Sequence, residues 1–211
     1  MPLEIEIKFT VPDKAVFEHI HPLRTICGYT TVDRGVTPHT DTYFDTEDFR
    51  LYREKIVFRL RKKSKKTVLT FKAQITSADD IYRRIEFEHI TDATADDISR
   101  GCFPDIPPAA ELIKHMGKVK LSPSLTATNN RHTILLARDN VPLYELVLDD
   151  VTFSGPGGEK KVRELEVESM TEEFDDLREI GGWLTERFDL KPAGPSKYIL
   201  GMELVGEVYG L

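Results

Sequence analysis

Charged residues occupy alternate positions in several segments of this sequence. Glu4, Glu6 and Lys8 are separated by single apolar residues near the start of the chain. Because alternate residues of a β-strand share a face, this segment would place two acids and a base on one side. A basic set and an acidic set repeat the spacing: Arg59, Arg61 and Lys63, and Glu164, Glu166 and Glu168. The pattern predicts strands with one charged face and one apolar face.

The charged faces could point to water on an open sheet or into a closed barrel. Three acids along one strand repel one another, and an exposed strand gains nothing from them. The predicted helices carry apolar stripes, which need the apolar face of a sheet to cover. A solvated face remains an adequate explanation for any single strand. For several complementary strands together, we expect the charges to face the interior of a barrel.

Acids facing bases across an enclosed space suit a polyphosphate bound with a divalent cation. Arginine binds phosphate oxygens bidentately, and carboxylates are hard ligands that suit Mg²⁺ or Mn²⁺. Such a cation can neutralise the transferring phosphoryl group and lower the pKa of a bound water. The sequence shows no nucleophile motif, no phosphate-binding glycine loop and no zinc spacing. These observations favour metal-dependent phosphoryl chemistry.

Short alternating segments predict a mainly β, α+β chain with an antiparallel sheet and helices outside. The predicted strands are residues 3–9, 57–63, 67–73, 81–89, 131–137, 143–151 and 161–169. Helices are predicted after Pro12, from Pro107, from Thr171 as N-cap to Phe188, and after Pro195. Residues 92–118 resemble an insertion between two halves of one sheet. We therefore predict one domain over residues 1–211.

The composition excludes some classes of function. The chain has 211 residues, 36 acids and 29 bases, and a net charge of -7. This balance argues against non-specific binding to nucleic acid or to anionic membranes. Cys27 and Cys102 lack metal-type spacing, which favours reduced thiols. With neither a signal-peptide pattern nor a long apolar run, a soluble, cytoplasmic protein is predicted.

An ordered series of motifs resembles the CYTH family, also called triphosphate tunnel metalloenzymes. The family hallmark Glu-x-Glu-x-Lys stands here as Glu4-Ile5-Glu6-Ile7-Lys8. It is followed in order by residues 41–46, Arg50-Leu51, residues 58–61, residues 69–72, Arg84-x-Glu86-x-Glu88, Arg131, Glu145-x-x-x-Asp149, Glu164-x-Glu166-x-Glu168 and residues 195–198. The short hallmark is weak alone, whereas the ordered series covers the chain from end to end.

The resemblance implies an antiparallel, closed eight-stranded β-barrel whose charged interior binds a polyphosphate and one or two divalent cations. By position, the implied metal ligands are Glu4, Glu6, Asp149, Glu164 and Glu166, for Mg²⁺ or Mn²⁺. The implied substrate-binding residues are Lys8, Arg59, Arg61, Lys72, Arg84, Arg131 and Lys197. Lys8 is expected to polarise the phosphoryl group under attack, and a glutamate, Glu6 in the first instance, to orient the water.

Several reactions fit the resemblance. Hydrolysis of a small linear triphosphate, chiefly inorganic triphosphate, needs nothing beyond these residues. A class IV adenylyl cyclase needs an adenine pocket, which no segment clearly supplies. Thiamine triphosphatase needs an aromatic platform, and this alternative stays open. A polyphosphate-binding module without turnover could manage with cations alone. We expect a small-molecule triphosphate as partner, and neither nucleic acid nor a membrane.

Some charged or aromatic residues have plainer interpretations. Lysines 62, 63, 65 and 66 flank a predicted hairpin tip and suit a solvated turn. Glu88 and Glu168 could support the site or belong to the barrel wall, and Asp150 alternates away from it. The six histidines show no paired spacing and are predicted to be structural or exposed. Four aromatic residues are predicted to be core: Tyr43, Phe44, Trp183 and Tyr198.

Overall fold

The computed structural model describes residues 3–78, 81–171 and 174–205. Its strands are β1 (Leu3–Thr10), β2 (Thr25–Ile26), β3 (Tyr29–Asp45), β4 (Ile56–Lys63), β5 (Lys66–Ala78), β6 (Ile81–Ile90), β7 (Ser122–Arg138), β8 (Val141–Gly155), β9 (Gly158–Ser169) and β10 (Lys191–Pro192). Its helices are α1 (Ala15–Ile20), α2 (Arg50–Arg53), α3 (Ala95–Ser99), α4 (Pro107–Met116), α5 (Leu177–Phe188) and α6 (Lys197–Val205). None of the described helices has the length and apolar character needed to cross a membrane.

The long strands form one closed antiparallel sheet. Their order around the barrel is β1, β6, β5, β4, β3, β7, β8 and β9, and β9 pairs again with β1. The two short strands lie outside this ring, since β2 pairs only with β3 and β10 with β1. The predicted fold class is confirmed: a mainly β, antiparallel eight-stranded closed barrel with helices packed outside.

Helices bury the outer faces of the strands that carry the charges. The apolar side of β1, which includes Ile5 and Ile7, packs in one cluster with Leu177, Ile180 and Leu184 of α5. Helix α4 covers Phe58 and Phe71 of the neighbouring strands in a second cluster. Glu4, Glu6 and Lys8 are nevertheless only 5%, 2% and 2% exposed. Their charges therefore face the barrel interior.

Helix α6 is held against the barrel by a buried carboxylate. Asp45, at the end of β3, accepts a 2.6 Å hydrogen bond from the Tyr198 hydroxyl. The same carboxylate accepts bonds from the backbone N–H groups of Leu51 and Tyr52 in α2. The Tyr198 ring also stacks on Tyr43, with ring centroids 5.3 Å apart. These contacts fix the first turn of α6, which carries Lys197.

The close approach of α6 to the barrel gives a stability prediction. A Cβ atom at Gly201 would overlap Leu125 Cδ2 and lie 2.8 Å from Phe153 Cδ1. Because overpacking a core costs about 1–3 kcal/mol, Gly201→Ala should lower the free energy of unfolding by that amount.

Gly182 in α5 provides the control, because it is exposed and no atom lies within 4 Å of the position that an added Cβ would take. Gly182→Ala should instead stabilise by about 0.5–1 kcal/mol. Urea unfolding of both variants checks the pair, and equal effects would contradict the packing assignment.

Several elements differ from the sequence-based predictions, among them β3 and α5. Strand β3 was not predicted, because register shifts at Asp33/Gly35 and Tyr43/Phe44 interrupt its alternation. The helix predicted from Thr171 begins at Leu177, with Asp176 as N-cap, so the assignment of Thr171 as N-cap is wrong. Thr171 instead follows β9, where its carbonyl accepts a hydrogen bond from Ser169. Residues 172 and 173 of that prediction lie outside the described residues.

Candidate active site

The barrel encloses a cavity of about 350 Å³ whose described walls are mostly charged. Nine basic and seven acidic side chains line it, so its interior has a small positive excess although the whole chain is acidic. The basic ones are Lys8, Lys55, Arg59, Arg61, Lys63, Lys72, Arg84, Arg131 and Lys197. The acidic ones are Glu4, Glu6, Glu86, Glu88, Glu145, Glu166 and Glu168. This composition suits an anionic ligand accompanied by a cation.

Strand order places the acidic and basic sets on opposite walls. Strand β9, with its three glutamates, lies four strands from β4 in either direction around the ring. Beside β9, the register of β1 sets Glu6 opposite Glu168 and Lys8 opposite Glu166. On the far wall, Arg59 and Arg61 of β4 are each 6% exposed. The strand order therefore places the acidic side chains across the barrel from the basic ones, as the sequence pattern predicted.

Three carboxylates converge at the acidic wall. Oxygen atoms of Glu4, Glu86 and Glu168, from β1, β6 and β9, all lie within 4.8 Å of one another. The Lys72 ammonium lies 2.6 Å from Glu4 Oε1 and 3.0 Å from Glu86 Oε1. Burial and the negative charge of Glu4 raise the pKa of Glu168 to about 9. Burial, opposed by Lys72, raises the pKa of Glu86 to about 7.

The carboxylate trio fits a divalent cation. Glu4 Oε2 is buried and has no hydrogen-bond partner among the described residues. A buried carboxylate oxygen without a donor is costly, and a hard cation would satisfy it. The same positive charge would offset the crowding that raises the pKa values of Glu86 and Glu168. An all-oxygen ligand set of this kind suits Mg²⁺ or Mn²⁺.

A buried aspartate organises the basic wall. Asp41 Oδ1 and Oδ2 accept bonds of 2.7 and 2.9 Å from Arg61 Nε and Nη2. The Nη1 of Arg59 approaches the same carboxylate at 3.4 Å, and its Nη2 donates to Thr70 and Glu88. Burial raises the pKa of Asp41, but the two guanidinium groups overcome this and hold it well below its usual range. Asp41 therefore holds both guanidinium groups beside the cavity.

Glu6, Lys8 and Arg84 also line the cavity. Arg84 Nη1 donates a 2.6 Å bond to Glu6 Oε1, whose pKa is raised chiefly by burial. Lys8 Nζ donates a 2.8 Å bond to the Pro195 carbonyl and lies 4.4 Å from the ring centroid of Tyr82. Burial lowers the pKa of Lys8. The chain before α6 thus contacts β1 directly through this lysine.

Another ionic network is centred on Asp149. Arg131 donates to both Asp149 oxygens at 2.8 and 2.6 Å, and Lys197 Nζ lies 2.9 Å from Oδ2. Burial raises the pKa of Asp149, but these two cations hold it well below its usual range. Lys197 Nζ also lies 2.9 Å from Glu164 and 2.5 Å from Glu166. Asp149 and Glu164 are buried behind the two cations and do not line the cavity.

A sequence model for the CYTH domain matches residues 2–192. This covers nearly the whole chain. The chain belongs to the CYTH family. No curated protein sequence matches it.

Solved structures of similar fold accompany the family match. A proposed adenylyl cyclase from Hippeastrum, described as having a dominant triphosphatase activity, shares 16% identity, with 95% of each chain covered and a TM-score of 0.67. A proposed adenylate cyclase from Bacillus halodurans shares 16% identity over 95% of this chain and 98% of its own, with a TM-score of 0.65. A Pyrococcus horikoshii protein shares 22% identity over 96% and 99%, with a TM-score of 0.53. Because these sequence identities are low, the structural similarity establishes the fold alone.

The CYTH barrel brings most of the predicted site residues together. All seven predicted substrate-binding side chains line the cavity, as do Glu4, Glu6 and Glu166 of the predicted metal ligands. Sequence reasoning did not assign Glu86 to the metal and left Glu168 undecided. Glu86 belongs to the motif Arg84-x-Glu86-x-Glu88, and Glu168 belongs to the motif Glu164-x-Glu166-x-Glu168. Their alternate positions in these motifs were the feature of the sequence that could have indicated a role in the site. Apart from the place of Asp41 in the motif of residues 41–46, nothing in the sequence indicated that it holds Arg59 and Arg61 beside the cavity.

Proposed function

We propose that this CYTH protein hydrolyses a triphosphate in a metal-dependent reaction, with inorganic triphosphate giving pyrophosphate and phosphate as the preferred case. The observation that supports it best is the carboxylate trio of Glu4, Glu86 and Glu168 beside a cation-lined cavity. A ligand held by the cations alone would need no such trio. Membership of a family that includes triphosphatases and cyclases points the same way.

Glu4, Glu86 and Glu168 are the proposed ligands for Mg²⁺ or Mn²⁺. A bound cation of this kind neutralises charge on a phosphoryl group and lowers the pKa of a coordinated water. Glu6 and Glu166 line the same cavity and remain proposed ligands. The proposed role of Asp149 and Glu164 changes, because neither lines the cavity. Asp149 contacts Arg131 and Lys197, and Glu164 contacts Lys197, so both are positioned to orient those cations.

The phosphate-binding role is proposed for seven of the nine cations that line the cavity. They are Lys8, Arg59, Arg61, Lys72, Arg84, Arg131 and Lys197. Lys8 presents an ammonium group from β1, next to the acidic wall, where it would stabilise charge on the phosphoryl group under attack. Glu6, two residues away on the same face, is the proposed residue that orients the attacking water. Lys8 and Glu6 thus form the proposed catalytic pair.

A compact triphosphate fits the cavity better than a nucleotide does. The aromatic rings in the described cavity wall are those of Tyr43 and Tyr198. These rings stack on each other, and the Tyr198 hydroxyl is engaged by Asp45. Both rings are also almost fully buried, at 2% and 1% exposed, so neither offers an accessible face on which adenine or thiamine could stack. The rest of the wall is mostly charged, which favours a ligand made of phosphate groups.

A substrate and metal screen tests the proposal. The purified chain is incubated with inorganic triphosphate, thiamine triphosphate, ATP or pyrophosphate, each with Mg²⁺, Mn²⁺ or excess EDTA. Phosphate release and cyclic AMP are both measured. We expect the fastest release from inorganic triphosphate, loss of at least about 100-fold in EDTA, and recovery when the metal is restored.

Other outcomes would identify other functions. Cyclic AMP as the main product from ATP would establish a cyclase. Preference for thiamine triphosphate would establish that substrate class. Tight calorimetric binding of triphosphate without release under any metal would establish a binding module. Release that persists unchanged in EDTA, with the metal confirmed as removed, would overturn the metal-dependent reaction.

A further inference from the structure

A second group of metal-ligating side chains lies on the outside of the barrel. His21 follows α1, Asp33 belongs to β3, and His132 belongs to β7. His132 Nε2 lies 2.7 Å from Asp33 Oδ1, and His21 Nε2 lies 3.1 Å from Asp33 Oδ2. None of the three lines the tunnel cavity. The cluster is therefore separate from the proposed active site.

Local backbone geometry builds this cluster. The register between β3 and β7 shifts between Asp33 and Gly35, which marks a bulge in β3. Gly35 has a φ of +78° at this bulge, and its N–H donates a 2.8 Å bond to Asp33 Oδ1. Neighbours of His132 on both sides line the tunnel, so alternation directs His132 outward. The carboxylate is thus fixed between the two imidazoles.

The spacing of the three ligand atoms suits a bound ion. One ring nitrogen from each histidine and a carboxylate oxygen of Asp33 all lie within 4.8 Å of one another. Metal bonds of about 2.0–2.1 Å in a tetrahedral site separate ligand atoms by about 3.3 Å. The present nitrogen-to-oxygen contacts of 2.7 and 3.1 Å are close to that separation. The imidazole rings, 4.7 Å apart between centroids, are already adjacent.

We propose that His21, Asp33 and His132 form a surface site for a transition-metal ion, Zn²⁺ in the first instance. Two imidazoles and one carboxylate favour Zn²⁺, Co²⁺ or Ni²⁺ over Mg²⁺, which prefers oxygen ligands. In the bound state each histidine is neutral and presents the Nε2 lone pair, with its proton on Nδ1. Three protein ligands leave a fourth position for water or another donor. The ion would tie the segment after α1 to β3 and β7.

Cobalt titration tests this site with a readout that does not depend on activity. The visible absorption of Co²⁺ is followed, with Mg²⁺ in large excess to occupy the carboxylates of the tunnel. We expect a saturating histidine-type spectrum that Zn²⁺ abolishes by competition. His132→Ala should weaken Co²⁺ binding by at least about 100-fold, since losing even an outer-shell partner costs 10–100-fold. Asp33→Asn should also weaken Co²⁺ binding.

A matched control uses a neighbouring histidine. His19→Ala removes an exposed imidazole from α1, two residues before His21, and should leave the Co²⁺ affinity unchanged. Thermal unfolding without metal shows whether each variant folds. Zn²⁺ should raise the unfolding temperature of the wild type and of His19→Ala, and not that of His132→Ala. Co²⁺ affinity equal in wild type, His132→Ala and Asp33→Asn would overturn the proposal, as would no Co²⁺ binding in excess Mg²⁺.

Discussion

Glu4→Gln is expected to lower the rate of triphosphate hydrolysis by about 10²–10³-fold, the range seen when one preorganised electrostatic group is removed from an active site. Glu4 contributes one of the three carboxylates that lie within 4.8 Å of one another. Glutamine keeps an oxygen that can accept the 2.6 Å bond from Lys72, but it removes the charge that would bind the cation. The steady-state rate of phosphate release, measured at saturating Mg²⁺, checks this expectation.

A glutamate outside the barrel provides the control for this variant. Glu47 lies exposed in the turn before α2, and Glu47→Gln should leave the rate unchanged. Both variants should unfold cooperatively on heating without metal, which shows that the barrel has formed. A raised Mg²⁺ requirement in Glu4→Gln alone would support the metal role. Full activity of Glu4→Gln at every Mg²⁺ concentration would remove Glu4 from the proposed site.

Arg59→Ala is expected to weaken the binding of inorganic triphosphate by at least about 30-fold, which corresponds to about 2 kcal/mol. The Arg59 guanidinium is nearly fully buried, and its Nε has no hydrogen-bond partner among the described residues. Asp41 keeps its two bonds to Arg61 when Arg59 is truncated. The variant therefore removes a ligand donor without leaving this acid unpaired. Calorimetric titration in EDTA, which prevents turnover, measures the change.

Lys62→Ala is the matched control for Arg59→Ala. Lys62 belongs to the same strand, is exposed, and does not line the cavity. Removing a solvated charge changes binding only through weak, screened attraction, so its affinity should differ from wild type by less than about threefold. Equal losses in the two variants would indicate a general effect of charge. An unaltered affinity in Arg59→Ala would place the triphosphate away from the basic wall.

The charged strand faces could be predicted because their periodicity is a local property. Alternation in β1, β4 and β9 assigned the side of each residue, and the need to cover apolar faces indicated a closed barrel. The ordered motifs then supplied the strand number, since the irregular β3 was not recognised from its own pattern. The organisation as one domain over residues 1–211 and the cytoplasmic location stay predictions.

The carboxylate trio could not be predicted because it depends on register between distant strands. Glu4, Glu86 and Glu168 meet only when β1 pairs with both β6 and β9, which closes the barrel. Periodicity alone shows that Glu164 and Glu168 share a face, and it does not show which one reaches the cavity. His21 and His132 illustrate the same limit, because their meeting depends on the bulge in β3.

The products formed from inorganic triphosphate test the central claim most directly. Phosphorus NMR of triphosphate incubated with the protein and Mg²⁺ resolves the substrate, pyrophosphate and phosphate in one spectrum. We expect the signal of the central phosphate to disappear while pyrophosphate and phosphate appear in equal amounts, and we expect EDTA to stop the change. A spectrum that stays unchanged under conditions where triphosphate binding is saturated would contradict hydrolysis in the tunnel.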